Sequence, residues 1–176
     1  MRKGGIMKKL FAIAIAASML SGLYGLSFGL GGRYTISHPG ALPDSTFSYP
    51  SVVADVMCKP LPILGFRIGL VALDLIPDEE GGTFYMFGTG VDAAVLIYIP
   101  MAGMVQPYIP FHVLYMGDGG SVLTLDGGIG AEFMFGGFGA YLEGGINLKS
   151  TSPEVGDSVS DTWFHVQGGV RIPVNL

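Results

Sequence analysis

The residues most able to do chemistry are eight charges set among alternating apolar and small neighbours. Arg33, Arg67 and Arg171 are the bases, and Asp55, Asp92, Asp126, Glu132 and Glu143 the acids. Held together in a narrow space, such groups must pair, because an unpaired buried charge is costly. The excess of acids means that some carboxylates must meet water, be protonated, or lie near an opening. Two chemistries fit: a structural ionic plug, or a path for protons or ions. His112 and His165 share the charged face, but a metal would need both to converge with a further ligand. They are expected as satisfied interior histidines, with no metal site. No Ser-His-Asp constellation is present, so no catalytic residue is assigned. Gly29-Leu30-Gly31 and Gly88-Thr89-Gly90 lack the helix and lysine of a nucleotide loop, so no cofactor site is assigned either. Asp78-Glu79-Glu80 could touch a divalent cation, yet reads more simply as a solvated acidic loop.

The elements that position these charges are strands. In Gly127–Leu148 (GGIGAEFMFGGFGAYLEGGINL), Ile129, Ala131, Phe133 and Phe135 alternate with Gly128, Gly130, Glu132 and Met134. After Gly136-Gly137, Phe138, Ala140, Leu142 and Ile146 alternate with Gly139, Tyr141, Glu143, Gly145 and Asn147. A period of two is the mark of a strand, and Gly-Gly between two such runs marks a tight hairpin. The same alternation recurs over Phe28–Ile36, Val52–Met57, Leu64–Ala72, Tyr85–Ile97, Gln106–Tyr115 and Phe164–Ile172, giving eight strands. Cys58–Pro62 is expected to be a short turn, and His38–Pro50 and Ser150–Asp161 long loops. Pro107 and Pro110 cannot donate to a ladder, so a bulge or distorted pairing is expected there.

The chain has 176 residues, 49% hydrophobic and 13% charged, with 29 glycines and one cysteine. That fits a single folded domain without an internal disulfide. Residues 1–27 read as a cleavable signal peptide: Arg2, Lys3, Lys8 and Lys9 precede the apolar core LFAIAIAASML and a small-x-small exit at Gly25–Ser27. Met7 offers an alternative start. The mature chain is residues 28–176, and losing four basic residues moves its formal charge from −5 to −9. Such acidity argues against nucleic acid as a partner.

Antiparallel strands in up-and-down order put the shorter connections at one end and the longer ones at the other, the asymmetry of bacterial outer-membrane barrels. Closure into eight strands leaves no edge. The bulky apolar face suits lipid, and the glycine-and-charge face suits a narrow interior. Aromatic residues near strand ends (Phe28, Tyr34, Tyr85, Tyr115, Phe135, Phe138, Trp163 and Phe164) suit interfacial girdles. With VQPYIPFHVLYM, GGIGAEFMFGGFGAYLEGGINL and WFHVQGGVRIPV, the mature chain resembles the small outer-membrane β-barrels, the OmpA- and OmpX-like domains. That resemblance implies a transmembrane barrel plugged by ion pairs. It also implies a barrel assembly machinery as partner, although the chain ends in Pro173-Val174-Asn175-Leu176 rather than the usual aromatic residue.

The fold expected is therefore all-β: an eight-stranded, antiparallel, up-and-down transmembrane barrel in the bacterial outer membrane. Its expected role is structural or interactive, without catalysis, displaying acidic outer loops to an extracellular ligand or surface partner. The alternatives are a small pore for ions or solutes, a lipid-modifying enzyme, and a soluble secreted ligand-binding barrel.

Overall fold

The structure, a computed structural model, describes residues 25–37, 47–77, 82–116, 120–153 and 159–174. Residues 1–24 of the segment expected as a signal peptide, the tips of four connections and the last two residues lie outside the described residues. Leu26 and Ser27, expected to belong to that segment, instead begin the first strand and pair with Cys58 and Met57. Eight strands form: β1 (Leu26–Ser37), β2 (Phe47–Leu61), β3 (Leu64–Pro77), β4 (Thr83–Tyr98), β5 (Val105–Met116), β6 (Gly120–Met134), β7 (Gly139–Pro153) and β8 (Val159–Val174). Each pairs antiparallel with its sequence neighbours, and β8 pairs with β1, closing the barrel. Closure is staggered. The paired residues Ser27, Met57, Arg67, Ala94, His112, Asp126, Asn147 and Trp163 lead back to β1 at Ser37, ten residues beyond the start (37 − 27). Such a stagger tilts the strands and fixes the bore at a width that side chains fill.

The strands are longer than the alternation implies, and this corrects several expectations. Cys58–Leu61 belongs to β2, and the turn is Pro62-Ile63 alone. The register shift between Cys58 and Leu61 absorbs Pro60, which cannot donate to a ladder. Phe47–Pro50, Ser150–Pro153 and Val159–Asp161 are strand rather than loop. The connections at one end span 38–46, 78–82, 117–119 and 154–158, and at the other 62–63, 99–104 and 135–138. Sorting by length is thus imperfect, since 99–104 is longer than 117–119. Pro107 and Pro110 cause no bulge. The β5–β6 register is the same on either side of them, and only Ile109 and Pro110 are missing from that ladder. The β6–β7 hairpin is as the alternation predicts. Gly136 has φ +73°, as the first central residue of a type II′ turn requires, and Phe135 and Phe138 stack at 5.2 Å.

Side chains divide cleanly between the two faces. All twelve Asp, Glu, Lys and Arg residues of the eight strands fall on the inward-facing set, while Phe28, Leu30, Phe66, Leu70, Val95, Ile97, Phe111, Ile129, Leu142 and Val166 point outward. A soluble barrel would bury the bulky set; this one exposes it. Of the aromatic residues expected at the girdles, Trp163 is the exception. It turns inward, edge-on to Tyr49 and beneath the Lys149 ammonium.

Candidate functional site

The site that the fold builds is the barrel interior. Arg67, on β3, reaches across to β7 and grips Glu143 with both terminal nitrogens, Nη1 to Oε2 at 3.0 Å and Nη2 to Oε1 at 2.6 Å. A two-pronged grip of this kind is the strongest geometry open to an ion pair. Tyr108 on β5 donates to the same carboxylate at 2.9 Å. Arg33 on β1 pairs with Asp92 on β4 and donates from Nε to Gln167 at 2.7 Å. His112 joins these two pairs. Its Nδ1 lies 3.0 Å from Asp92 Oδ1 and its Nε2 3.1 Å from Arg67 Nη2, so with Nδ1–H donating to Asp92, Nε2 is left to accept.

The third arginine holds the other half. Arg171 on β8 donates to Glu132 at 3.2 Å and to Asp55 at 3.3 Å. Tyr98 donates to Glu132 at 3.0 Å, Tyr141 to Asp55 at 3.4 Å, and Gln167 to Tyr141 at 3.3 Å. The Gln167 side chain thereby closes the circuit to Arg33. Twelve side chains form one connected network, with at least one from every strand. Three guanidinium groups face four carboxylates, and hydroxyl and imidazole donors satisfy the surplus acid.

Glycines make the room. A Cβ on Gly130 would sit 2.5 Å from the Tyr108 ring, and one on Gly31 would sit 2.7 Å from the Tyr141 hydroxyl. Each tyrosine can lie over a nearby strand because that strand carries no side chain at the point of contact.

Seven of the eight charges singled out from the sequence belong to this network. Asp126 does not. It lies nearer the loop-bearing end with His165, whose Nδ1 is 2.8 Å from Asp126 Oδ2 and 2.9 Å from Asn147 Oδ1. His112 and His165 meet edge to face at 6.0 Å, but no group of three metal-binding side chains occurs among the described residues. Other inward residues escaped the sequence reading. Asp74, hydrogen-bonded to Ser51, is turned inward by an irregularity between Val71 and Leu73 that resets the alternation. Lys59 lay in the supposed turn; it caps the Tyr98 ring at 3.6 Å and donates to Gln106 at 2.5 Å. Tyr98 lay just beyond the expected end of its strand.

The two mouths differ. At the short-turn end Met57, Ala94, Leu96, Tyr98 and Tyr108 form a buried apolar cluster. At the other, a cavity of about 30 Å³ is bordered by Arg33, Ser51, Asp74, Asn147, Lys149 and Trp163 among others, room for a water molecule or two.

The sequence matches no protein-family model, and no curated protein matches it. Its fold does have solved counterparts. The crystal structure of Neisserial surface protein A superposes with a TM-score of 0.57 at 11% identity, over 84% of this chain and 96% of that one. The outer membrane protein OprG from Pseudomonas aeruginosa gives a TM-score of 0.47 at 14% identity, over 87% and 97%. The chain has the fold of the small eight-stranded outer-membrane barrels.

Proposed function

We propose that this protein is a bacterial outer-membrane barrel whose role is structural or interactive, with acidic loops as its working surface. The observation that carries the reading is the inner network. It joins all eight strands and fills the bore with paired charge, while the outer wall carries bulky apolar side chains and, among the described strand residues, no charge. An outer wall of that kind suits hydrocarbon. A bore crossed by Tyr98, Tyr108, Arg67 and Glu143 suits a strut rather than a channel. Outer-membrane lipid and a barrel assembly machinery are the partners this role requires, and an extracellular ligand or surface partner would meet the loops. The loop tips 38–46, 78–82, 117–119 and 154–158 carry Asp44, Asp78, Glu79, Glu80, Asp118, Glu154 and Asp157 and no Lys or Arg. No catalytic role is assigned to any residue.

Planar-bilayer recording of the purified chain tests this reading. The expected result is no stable, reproducible conductance. Steady openings whose ion selectivity changes with Glu143→Gln would overturn it in favour of a small pore. Orientation is tested separately in a Cys58→Ser background. Cysteines placed at Ser45 or Ser158 should react with an impermeant label on intact cells, and failure of both to react would invert the topology.

A further inference from the structure

The three short connections share a property that their length does not require. Pro62-Ile63, Ile99-Pro-Met-Ala-Gly-Met104 and Phe135-Gly-Gly-Phe138 contain no charged residue and no polar side chain. Their large side chains are not tucked inward. Ile63, Ile99, Phe135 and Phe138 are about half exposed, and Met101 and Met104 are 59% and 65% exposed. The charges nearest this end are all engaged inside: Lys59 on Tyr98 and Gln106, Glu132 on Arg171 and Tyr98. The side chains of this rim therefore offer water almost nothing to solvate.

We infer that the short-turn end is sunk into the headgroup boundary of the lipid bilayer, the three apolar turns acting as its anchor, rather than projecting into water. This deepens the outer-membrane reading and rests on it. Continuity with the outer wall supports lipid as the occupant. On β4 the outward residues Val95 and Ile97 lead directly to Ile99 and Met101, and on β5 Val113, Phe111 and Ile109 lead to Val105 and Met104. Length supports it as well. Strands of 12 to 16 residues, at about 3.3 Å per residue and about 40° of tilt, stand roughly 30–40 Å tall. An outer-membrane apolar band is only about 25 Å. The band cannot cover the whole wall, and the end whose turns carry no charge is the one it reaches. The opposite strand ends mix Ser48, Ser160 and Thr162 with aromatic Phe84, Tyr85 and Phe87, and lead into acidic loops. Side chains such as Phe and Met, on turns free of charge, partition into the headgroup and upper acyl region.

Tryptophan depth-quenching tests the placement. In a Trp163→Phe background, the full chain carrying Met104→Trp, Phe138→Trp or Ile97→Trp is reconstituted into phosphatidylcholine vesicles with brominated acyl chains, folding being checked by gel mobility before and after heating. Tryptophan at 104 and at 138 should lose emission to bromines near the headgroup and resist aqueous iodide. Tryptophan at 97 should lose emission to deeper bromines. If 104 and 138 are quenched by iodide and not by lipid while 97 is quenched by lipid, the anchor is refuted and the membrane barrel stands. Recovery of iodide quenching at 104 and 138 only on dilution of the protein in the membrane would refute it in favour of a second copy as the occupant. If 97 also escapes lipid quenching, the membrane reading fails with it.

Discussion

The two ends of this barrel are built from the same eight strands and solve opposite problems. At the short-turn end the bore holds the buried cluster of Met57, Ala94, Leu96, Tyr98 and Tyr108, with the two tyrosine rings 5.3 Å apart, and the turns outside are apolar. At the loop-bearing end the bore opens into a small polar cavity, and the connections beyond it carry half of the protein's fourteen acids. The five basic residues of the strands all lie on the inward face, with the other seven acids. Charge is therefore graded along the axis: a single lysine, Lys59, held inward among uncharged turns below, ion pairs in the middle, and acid in excess above. A barrel that conducted would need comparable wet mouths at both ends. On the proposed reading, the lower cluster serves as a seal and the upper cavity as a vestibule.

The largest effect is expected where the paired middle is broken. Glu143→Gln leaves Arg67 buried without its two-pronged partner and removes the charge that Tyr108 and His112 face. Stripping one member from a buried ion pair costs about 3–5 kcal/mol. Urea unfolding of the refolded barrel should show that loss. A cost below about 1 kcal/mol, typical of exposed pairs, would mean that water reaches Arg67 and that the middle is not sealed from below.

Placing arginine on the outer wall compares the ends directly. Val95 sits between Phe66 and Phe111 on the lower half, whereas Thr162 is exposed near the loops. Outward arginine costs about 2–4 kcal/mol at the membrane midplane and about 0–1 near the interface. Val95→Arg should therefore be strongly destabilising in vesicles and Thr162→Arg nearly neutral. Equal costs would erase the axial difference on the outside.

Alternation was enough to read the strand count, the inward charges and the outward apolar set, because a period of two assigns every residue to a face. It failed where something resets the period. The irregularity at Val71–Leu73 turned Asp74 inward, and the one at Cys58–Leu61 carried β2 through a proline that looked like a stop. Partner choice was not readable at all. Arg67 meets Glu143 four strands away, across the bore, and that pairing depends on the stagger of closure rather than on any local pattern. The lower cluster was missed for a related reason: Leu96, Tyr98 and Tyr108 come from β4 and β5, the pair whose ladder Pro107 and Pro110 made look distorted.

Gly130→Ala examines the seal from its edge. The added methyl would meet the Tyr108 ring at 2.5 Å, and the backbone of a staggered barrel can shift little to relieve it. Overpacking of this kind costs about 1–3 kcal/mol. Tyr108→Leu in the same chain should recover part of the loss, since the leucine leaves space for the methyl while giving up one hydrogen bond to Glu143. No recovery would place the clash elsewhere than at the tyrosine.

The smallest effect is expected at the vestibule. Lys149 stands 3.7 Å above the Trp163 ring, on the inward side of the loop-bearing end, where the cavity admits water. A cation over an aromatic face contributes about 0.5–1 kcal/mol when solvent reaches it and about 2 kcal/mol or more when it does not. Lys149→Gln keeps most of the side-chain length and removes the charge, which faces Asp161 and Asp74 as well as the ring. Made beside Trp163→Leu and the double variant, it isolates the cation–ring contribution and reports which regime applies. At a wet mouth that contribution should be no more than about 1 kcal/mol, and it should shrink as salt is raised, because screening acts on charges that water can reach. A contribution of about 2 kcal/mol or more that salt does not alter would describe a dry interaction. The loop-bearing end would then be a second seal, and the contrast between the mouths would reduce to the loops alone.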